Sequence, residues 1–190
     1  MPEGDTLFKV AARLRPALAG EALTRFEAPR LRGRPPRRGA VVEDVEARGK
    51  HLLVHFADGT TLRTHLRMTG SWHLYRTGER WQKPAHLARV VLEVASGWVA
   101  VCFQAPVVET YARAAREPDA LATLGPDLCA AAPADEAVLE EVLRRAGTLA
   151  GPEVTLGEAL LDQRIAAGIG NVYKSEACWA ERVDPGTPLA

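Results

Sequence analysis

Residues 41–66 read VVEDVEARGKHLLVHFADGTTLRTHL, and three short runs can be marked out within them. Val41 to Arg48, His51 to Phe56 and Thr60 to Leu66 alternate apolar with polar residues or are rich in β-branched ones. That pattern suits half-buried strands rather than helices. Asp58-Gly59 separates the second run from the third, and an Asp-Gly pair supplies the positive backbone angles of a tight hairpin. Gly49 permits a bend or bulge between the first and second, which sets Lys50 at a strand edge. Further strands are expected at Ser71 to Tyr75, Arg89 to Ala95 and Trp98 to Gln104. Six or more short strands at this spacing predict a β-sandwich.

Upstream the period changes. Leu7, Val10, Ala11, Leu14 and Leu18 recur at helical spacing, with Asp5 or Thr6 as cap at the start and Gly20 at the end. Downstream the chain turns helical again. Asp135 to Ala146 is amphipathic, with Val138, Leu139, Val142 and Leu143 on its apolar face. Thr155 caps a second helix that turns Leu156, Ala159, Leu160 and Ile165 inward, and a third runs from Asn171 to about Glu181. The fold class is therefore α+β: an N-terminal helix and a two-sheet antiparallel sandwich, followed by a helical unit. The boundary falls near Arg113 to Pro126, dividing residues 1–115 from 120–190.

Composition narrows the function. At 190 residues and 47 % hydrophobic the chain has one or two domains with a sizeable core. No run of about 18 apolar residues occurs, and Lys9, Arg13 and Arg15 interrupt any signal-peptide pattern, so no membrane partner is expected. Cys102, Cys129 and Cys178 form no paired motif and read as small buried hydrophobes in a reducing cytoplasm, with no metal site. The net charge of zero hides an asymmetry: residues 1–80 hold 15 Lys and Arg against 9 Asp and Glu. The excess centres on Arg25, Arg30, Arg32, Arg34, Arg37 and Arg38. Such a half suits a polyanion, or is a flexible basic connection broken by Gly33, Pro35 and Pro36.

Four motifs carry chemistry. Met1-Pro2-Glu3-Gly4 reads as an ordinary helix start, because Pro and acids favour the first turn. It also reads as a nucleophile: with Met1 removed, Pro2 is an N-terminal secondary amine beside a carboxylate suited to acid–base work. In Gln163 to Glu176, a turn holding Gly168 and Gly170 leads into a helix opening on Asn171. There free N–H groups and the helix dipole make a phosphate site, which Lys174 supplements; an Asn-capped helical corner is the alternative. Arg48-Gly49-Lys50-His51 offers Lys50 for phosphate contact or leaving-group activation. His65-Leu66-Arg67-Met68-Thr69-Gly70 sets an apolar Met68 after basic residues, a side chain able to wedge into a base stack if exposed.

Together and in this order the four motifs closely resemble the formamidopyrimidine-DNA glycosylase/endonuclease VIII family, on its endonuclease VIII-like side. The resemblance covers essentially the whole chain. It implies a base-excision DNA glycosylase with AP lyase activity that removes oxidised bases, pyrimidines above all, by β,δ-elimination. It also implies a helix–two-turn–helix motif in the helical unit and a monomer acting on double-stranded DNA with damaged or abasic sites. Pro2 would attack C1′ of the sugar, Glu3 would assist ring opening, and Lys50 would contact phosphate and assist base departure. Asn171 would hold the phosphate flanking the flipped nucleotide, with Lys174, Gly168 and Gly170 in the same site. Met68, preceded by Arg67, would fill the void that the nucleotide leaves.

Three departures from the family pattern stand out. Asp5-Thr6 provides no acidic relay at position 6. No four-cysteine pattern occurs, so the zinc of the family's C-terminal finger has no site in this sequence, and weakened DNA affinity is expected. A retained Met1 would bury the Pro2 nitrogen in an amide and close the Schiff-base route, leaving a silent DNA-damage-binding fragment as the alternative.

Overall fold

A computed structural model describes residues 2–115, 117–130, 136–151 and 153–189. Helix α1 (Gly4–Leu18) is followed by eight strands: β1 (Leu23–Glu27), β2 (Val42–Arg48), β3 (His51–Phe56), β4 (Thr60–His65), β5 (Ser71–Arg76), β6 (Ala88–Val94), β7 (Trp98–Phe103) and β8 (Val107–Ala112). Helices α2 (Asp119–Ala122), α3 (Glu136–Leu149), α4 (Leu156–Leu161) and α5 (Asn171–Ala180) complete the described chain.

The strands form two antiparallel four-stranded sheets, ordered β1-β6-β7-β5 and β2-β3-β4-β8. The expected hairpin is present. Gly59 lies in the left-handed region, its N–H donates to the Phe56 carbonyl, and Asp58 Oδ1 accepts from the Thr60 N–H. Leu52, Val54, Phe56 and Leu62 of one sheet meet Val90, Leu92, Ala100 and Cys102 of the other, and Leu7, Ala11, Leu14 and Leu18 of α1 complete this core. A buried Trp72 indole donates across the layers to Thr64 Oγ1 at 3.1 Å. Leu121 of α2 is fully buried, and Arg48 of β2, which donates to its carbonyl, pairs with Glu117 at 2.6 Å.

Several details differ from the sequence reading. Asp5 and Thr6 lie inside α1, whose N-cap is Glu3; that carboxylate is committed elsewhere, as described below. At the other end Ala19 is the C-cap, and Gly20 follows it with φ +83. Strands β1 and β8 were not expected, because their charged residues blur the alternation. The basic connection is not loose. Arg32 N donates to the Val108 carbonyl at 3.0 Å and the Arg32 carbonyl accepts from Thr110 N at 2.8 Å, so the segment lies along the edge of β8. Cys129 is only partly buried.

The capping box at Thr155 and Glu158 forms as expected, and Ala159 and Ile165 point inward. The expected inner face of α3 is only partly buried: Val138 and Val142 are half-buried, whereas Leu139 and Leu143 are exposed, Leu143 by 70 %. Amphipathic spacing marks a face able to pack, not how much of it is covered. Its expected first residue, Asp135, lies outside the described residues.

Candidate active site

The carboxylate of Glu3 is the centre of the site. It is 3 % exposed and accepts three backbone N–H groups: Oε2 from Gly170 at 3.0 Å and Tyr173 at 3.2 Å, Oε1 from Val172 at 2.9 Å. Helix α5 thus begins on a carboxylate from the far end of the chain, where the dipole and unpaired N–H groups favour an anion. This narrows the expected phosphate device, because three of the donors at the helix tip are occupied. The two glycines of the turn serve the same approach. A Cβ at position 170 would overlap Glu3 Cδ and Oε1, and one at Gly4 would come 2.8 Å from the Gly168 Cα. Gly4 N donates to the Gly168 carbonyl at 2.9 Å. Residues 3 and 4, and Pro2 before them, are thereby held against the turn that opens α5. Met1 lies outside the described residues.

Lys50 shares this environment. Its half-buried ammonium is held below the usual lysine range by burial, while the negative charge of Glu3 pulls the other way. The turn that carries it is fixed by Asp127, which sequence reasoning missed. Asp127 Oδ2 accepts the Gly49 N–H at 2.6 Å and Oδ1 accepts the Cys129 N–H at 2.9 Å. The pairing joins residues 78 positions apart, and no local pattern signals it. Gln163 was a second omission. Its Nε2 donates to the Leu161 and Ile169 carbonyls and its Oε1 accepts the Gly168 N–H, so one side chain staples the glycine turn.

Next to Lys50, His51 faces His65 with ring centroids 4.7 Å apart. His65 Nδ1 accepts the Arg67 N–H at 3.1 Å, and Gly70 N closes the turn on the Leu66 carbonyl. Arg67 adopts φ +47, an uncommon conformation for a non-glycine residue, and Met68 stands 69 % exposed at the tip. Asn171 is exposed on the first turn of α5, where its Oδ1 accepts from Lys174 Nζ at 3.3 Å. Lys174 is partly buried and lines an apolar cavity of about 310 Å³ with Cys129, Ala167, Ile169 and Tyr173. Asp5 is engaged by Lys9 at 2.9 Å, a contact that holds its carboxyl below the usual range.

The formamidopyrimidine-DNA glycosylase N-terminal domain matches residues 1–106. The chain belongs to the formamidopyrimidine-DNA glycosylase family. Its relatives in that family include a probable endonuclease 8 2 of Streptomyces coelicolor, 46 % identical over all of this chain and 66 % of its own length. The DNA-(apurinic or apyrimidinic site) lyase Nei2 of Mycolicibacterium smegmatis is 38 % identical, over all of this chain and 70 % of its own length. These place the chain on the endonuclease VIII-like branch. The chain thus spans about two thirds of the length of these relatives. Among solved structures, the MutM (Fpg) protein of Thermus thermophilus superposes with TM-score 0.74 and 28 % identity, covering 99 % of this chain and 66 % of that one. A Lactococcus lactis Fpg bound to DNA containing an AP site shares the fold at TM-score 0.74 and 22 % identity.

Among the described residues no three His, Cys, Asp or Glu side chains converge on a metal-sized site. No described helix is long and apolar enough to cross a membrane.

Proposed function

We propose that this chain is a DNA glycosylase and AP lyase acting on duplex DNA with oxidised or abasic nucleotides. Oxidised pyrimidines are the preferred bases in this reading, as the resemblance to the endonuclease VIII-like side implies. Residues 1–115 form the unit carrying the nucleophile, and residues 120–190 the helical unit that positions it. One observation carries the reading: the Glu3 carboxylate, next in sequence to Pro2, is fixed on the α5 N-terminus and its charge reaches the half-buried Lys50.

With Met1 removed, the Pro2 nitrogen attacks C1′ of the damaged nucleotide. The N–C1′ bond forms as the glycosidic bond breaks, and the departing base takes the bonding pair and a proton, for which the Lys50 ammonium is the donor. Ring opening gives an iminium between Pro2 and C1′, the electron sink of Schiff-base chemistry. Loss of a C2′ proton then expels the 3′ phosphate, and a second elimination expels the 5′ phosphate. Glu3 has two parts in this. Its three N–H bonds fix the N-terminus, and its remaining lone pairs shuttle protons during ring opening. Asn171 and Lys174 contact the phosphate beside the extruded nucleotide, and Met68 enters the space it vacates, which offsets part of the unstacking cost.

The test is borohydride trapping on a duplex with one abasic site, using protein whose N-terminus has been checked by intact mass. A covalent protein–DNA adduct that disappears in Pro2→Gly is expected. No adduct from protein confirmed to start at Pro2 would overturn the proposal.

A further inference from the structure

The run from Arg30 to Arg38 has no part in the site just described, yet it is built into the sandwich. Its backbone is pinned at both ends. Arg32 pairs with β8 beside Glu109, itself opposite Arg63 of β4. Thr110 Oγ1 donates to the Arg34 carbonyl at 2.7 Å, and Arg37 N donates to Asp58 Oδ2 at 2.8 Å. Pro36 is buried, and Gly33 presses so closely on Thr110 that any Cβ would overlap it. The segment therefore runs along the outer edge of β8. It starts near the end where His65 opposes Val107 and finishes at the Asp58–Gly59 turn.

The side chains tell a different story from the backbone. Arg30, Arg32, Arg34, Arg37 and Arg38 are all exposed, and none has a side-chain hydrogen bond or ion pair among the described residues. Several arginines elsewhere, among them Arg15, Arg25, Arg48 and Arg113, hold a carboxylate. Covering the sheet edge requires only the main chain, and charges of either sign would keep other strands away. Yet residues 28–42 contain these five arginines and no acid. Apart from Arg37, whose charge the nearby Asp58 carboxylate feels, the guanidinium groups are left unneutralised on an ordered backbone, which is the arrangement that a line of phosphates would neutralise.

We propose that this arginine strap is a second contact surface for the phosphodiester backbone of duplex DNA, gripping the segment that flanks the lesion beyond β8. It rests on the reading of the chain as a DNA-acting protein, but it involves none of the lyase chemistry. Binding through it is sequence-independent and strongly salt-dependent, since each phosphate neutralised releases counterions.

The decisive measurement is the salt dependence of affinity for an undamaged duplex of roughly 30 base pairs, about three helical turns. Three proteins of the full chain are compared: wild type, Arg30→Ala/Arg32→Ala/Arg34→Ala, and the same three positions changed to Lys, with folding checked by circular dichroism. The alanine variant is expected to bind more weakly and to lose roughly two to three from the slope of log affinity against log salt. The lysine variant keeps most of the slope. An alanine variant with the wild-type slope, or a lysine variant as impaired as the alanine one, would overturn the proposal. Undamaged DNA needs no Pro2 chemistry, so failure of abasic-site trapping leaves this result standing. Absence of any DNA binding by the wild-type chain would overturn both.

Discussion

A methyl group at position 170 would have to occupy the space of the Glu3 carboxylate, so a single atom tests the centre of the site. Gly170→Ala is expected to lower stability by about 1–3 kcal/mol through overpacking and to diminish borohydride trapping by pushing Glu3 off the helix. Chemical unfolding checks the first effect, and a variant with wild-type stability would show that Glu3 sits elsewhere. Glu3→Gln approaches the same contact from the other side. An amide turns an NH₂ toward donors that need an acceptor, leaving part of the α5 terminus unpaired at a cost of about 1–3 kcal/mol. Reduced stability is therefore expected in addition to slower chemistry, and an unaltered unfolding midpoint would reduce Glu3 to its catalytic part alone. Each of these residues was legible in the sequence as a site candidate. Their pairing was not, because 167 positions separate them, and the motif around Asn171 reads equally well as an anion site for phosphate. The internal carboxylate answers the same helix-terminus physics.

Among the elements, β3 and β4 carry the acid sensitivity of the fold. His51 and His65 face each other at their paired ends. Burial, with the charges of Arg63, Arg48 and Arg67 and of each ring's neighbours, holds His51 down to about 3 and His65 down to about 4. His51 Nδ1 has no hydrogen-bond partner among the described residues. An unfolded histidine titrates near pH ~6.5, so below that value the unfolded chain takes up protons that the folded chain refuses. Stability is expected to be unaffected by this pair above about pH 6.5 and to fall progressively as pH drops toward 4. Thermal midpoints at pH 7.5 and 4.5 measure the fall, and His51→Phe should shrink the difference between them; an identical difference in both proteins would count against the pair. Helix α3 makes the opposite case. Leu143 on its apolar face is exposed, so Leu143→Ser is expected to change stability by no more than about 0.5 kcal/mol. Leu14→Ala, in the core beneath α1, should cost about 2–5 kcal/mol. Periodicity identified α1, α3 and six strands, because a half-buried element writes its packing into its spacing. It passed over β1 and β8, where buried positions are few and charges intervene. It also assigned α3 a buried face, because a pattern says which side can pack and not how much of it is covered.

On the scale of the whole molecule, the site exists only where the sandwich meets the helices, and few bonds make that meeting. Glu3 joins α1 to α5, Arg48 joins β2 to Glu117, and Asp127 joins the turn carrying Lys50 to the chain leading into the helices. Asp127 is the most informative of these because its two oxygens do separate work, one on the Gly49 N–H and the other on the Cys129 N–H. Asp127→Asn keeps one acceptor and turns an NH₂ toward the second donor, whereas Asp127→Ala removes both. A graded loss is therefore expected, about 1–3 kcal/mol for each donor left unpaired, with alanine the more severe. The Lys50 turn also rests on Ala167 and Gly168 through Gly49, so losing the Asp127 anchor should carry Lys50 away from Glu3 as well. Trapping rates at saturating abasic-site DNA are expected to fall in the same order, wild type above Asn above Ala. If stability falls in that order while trapping stays constant, Asp127 stiffens the junction without placing Lys50. If both fall together, the lysine owes its position beside Glu3 to a carboxylate 77 residues downstream in the chain.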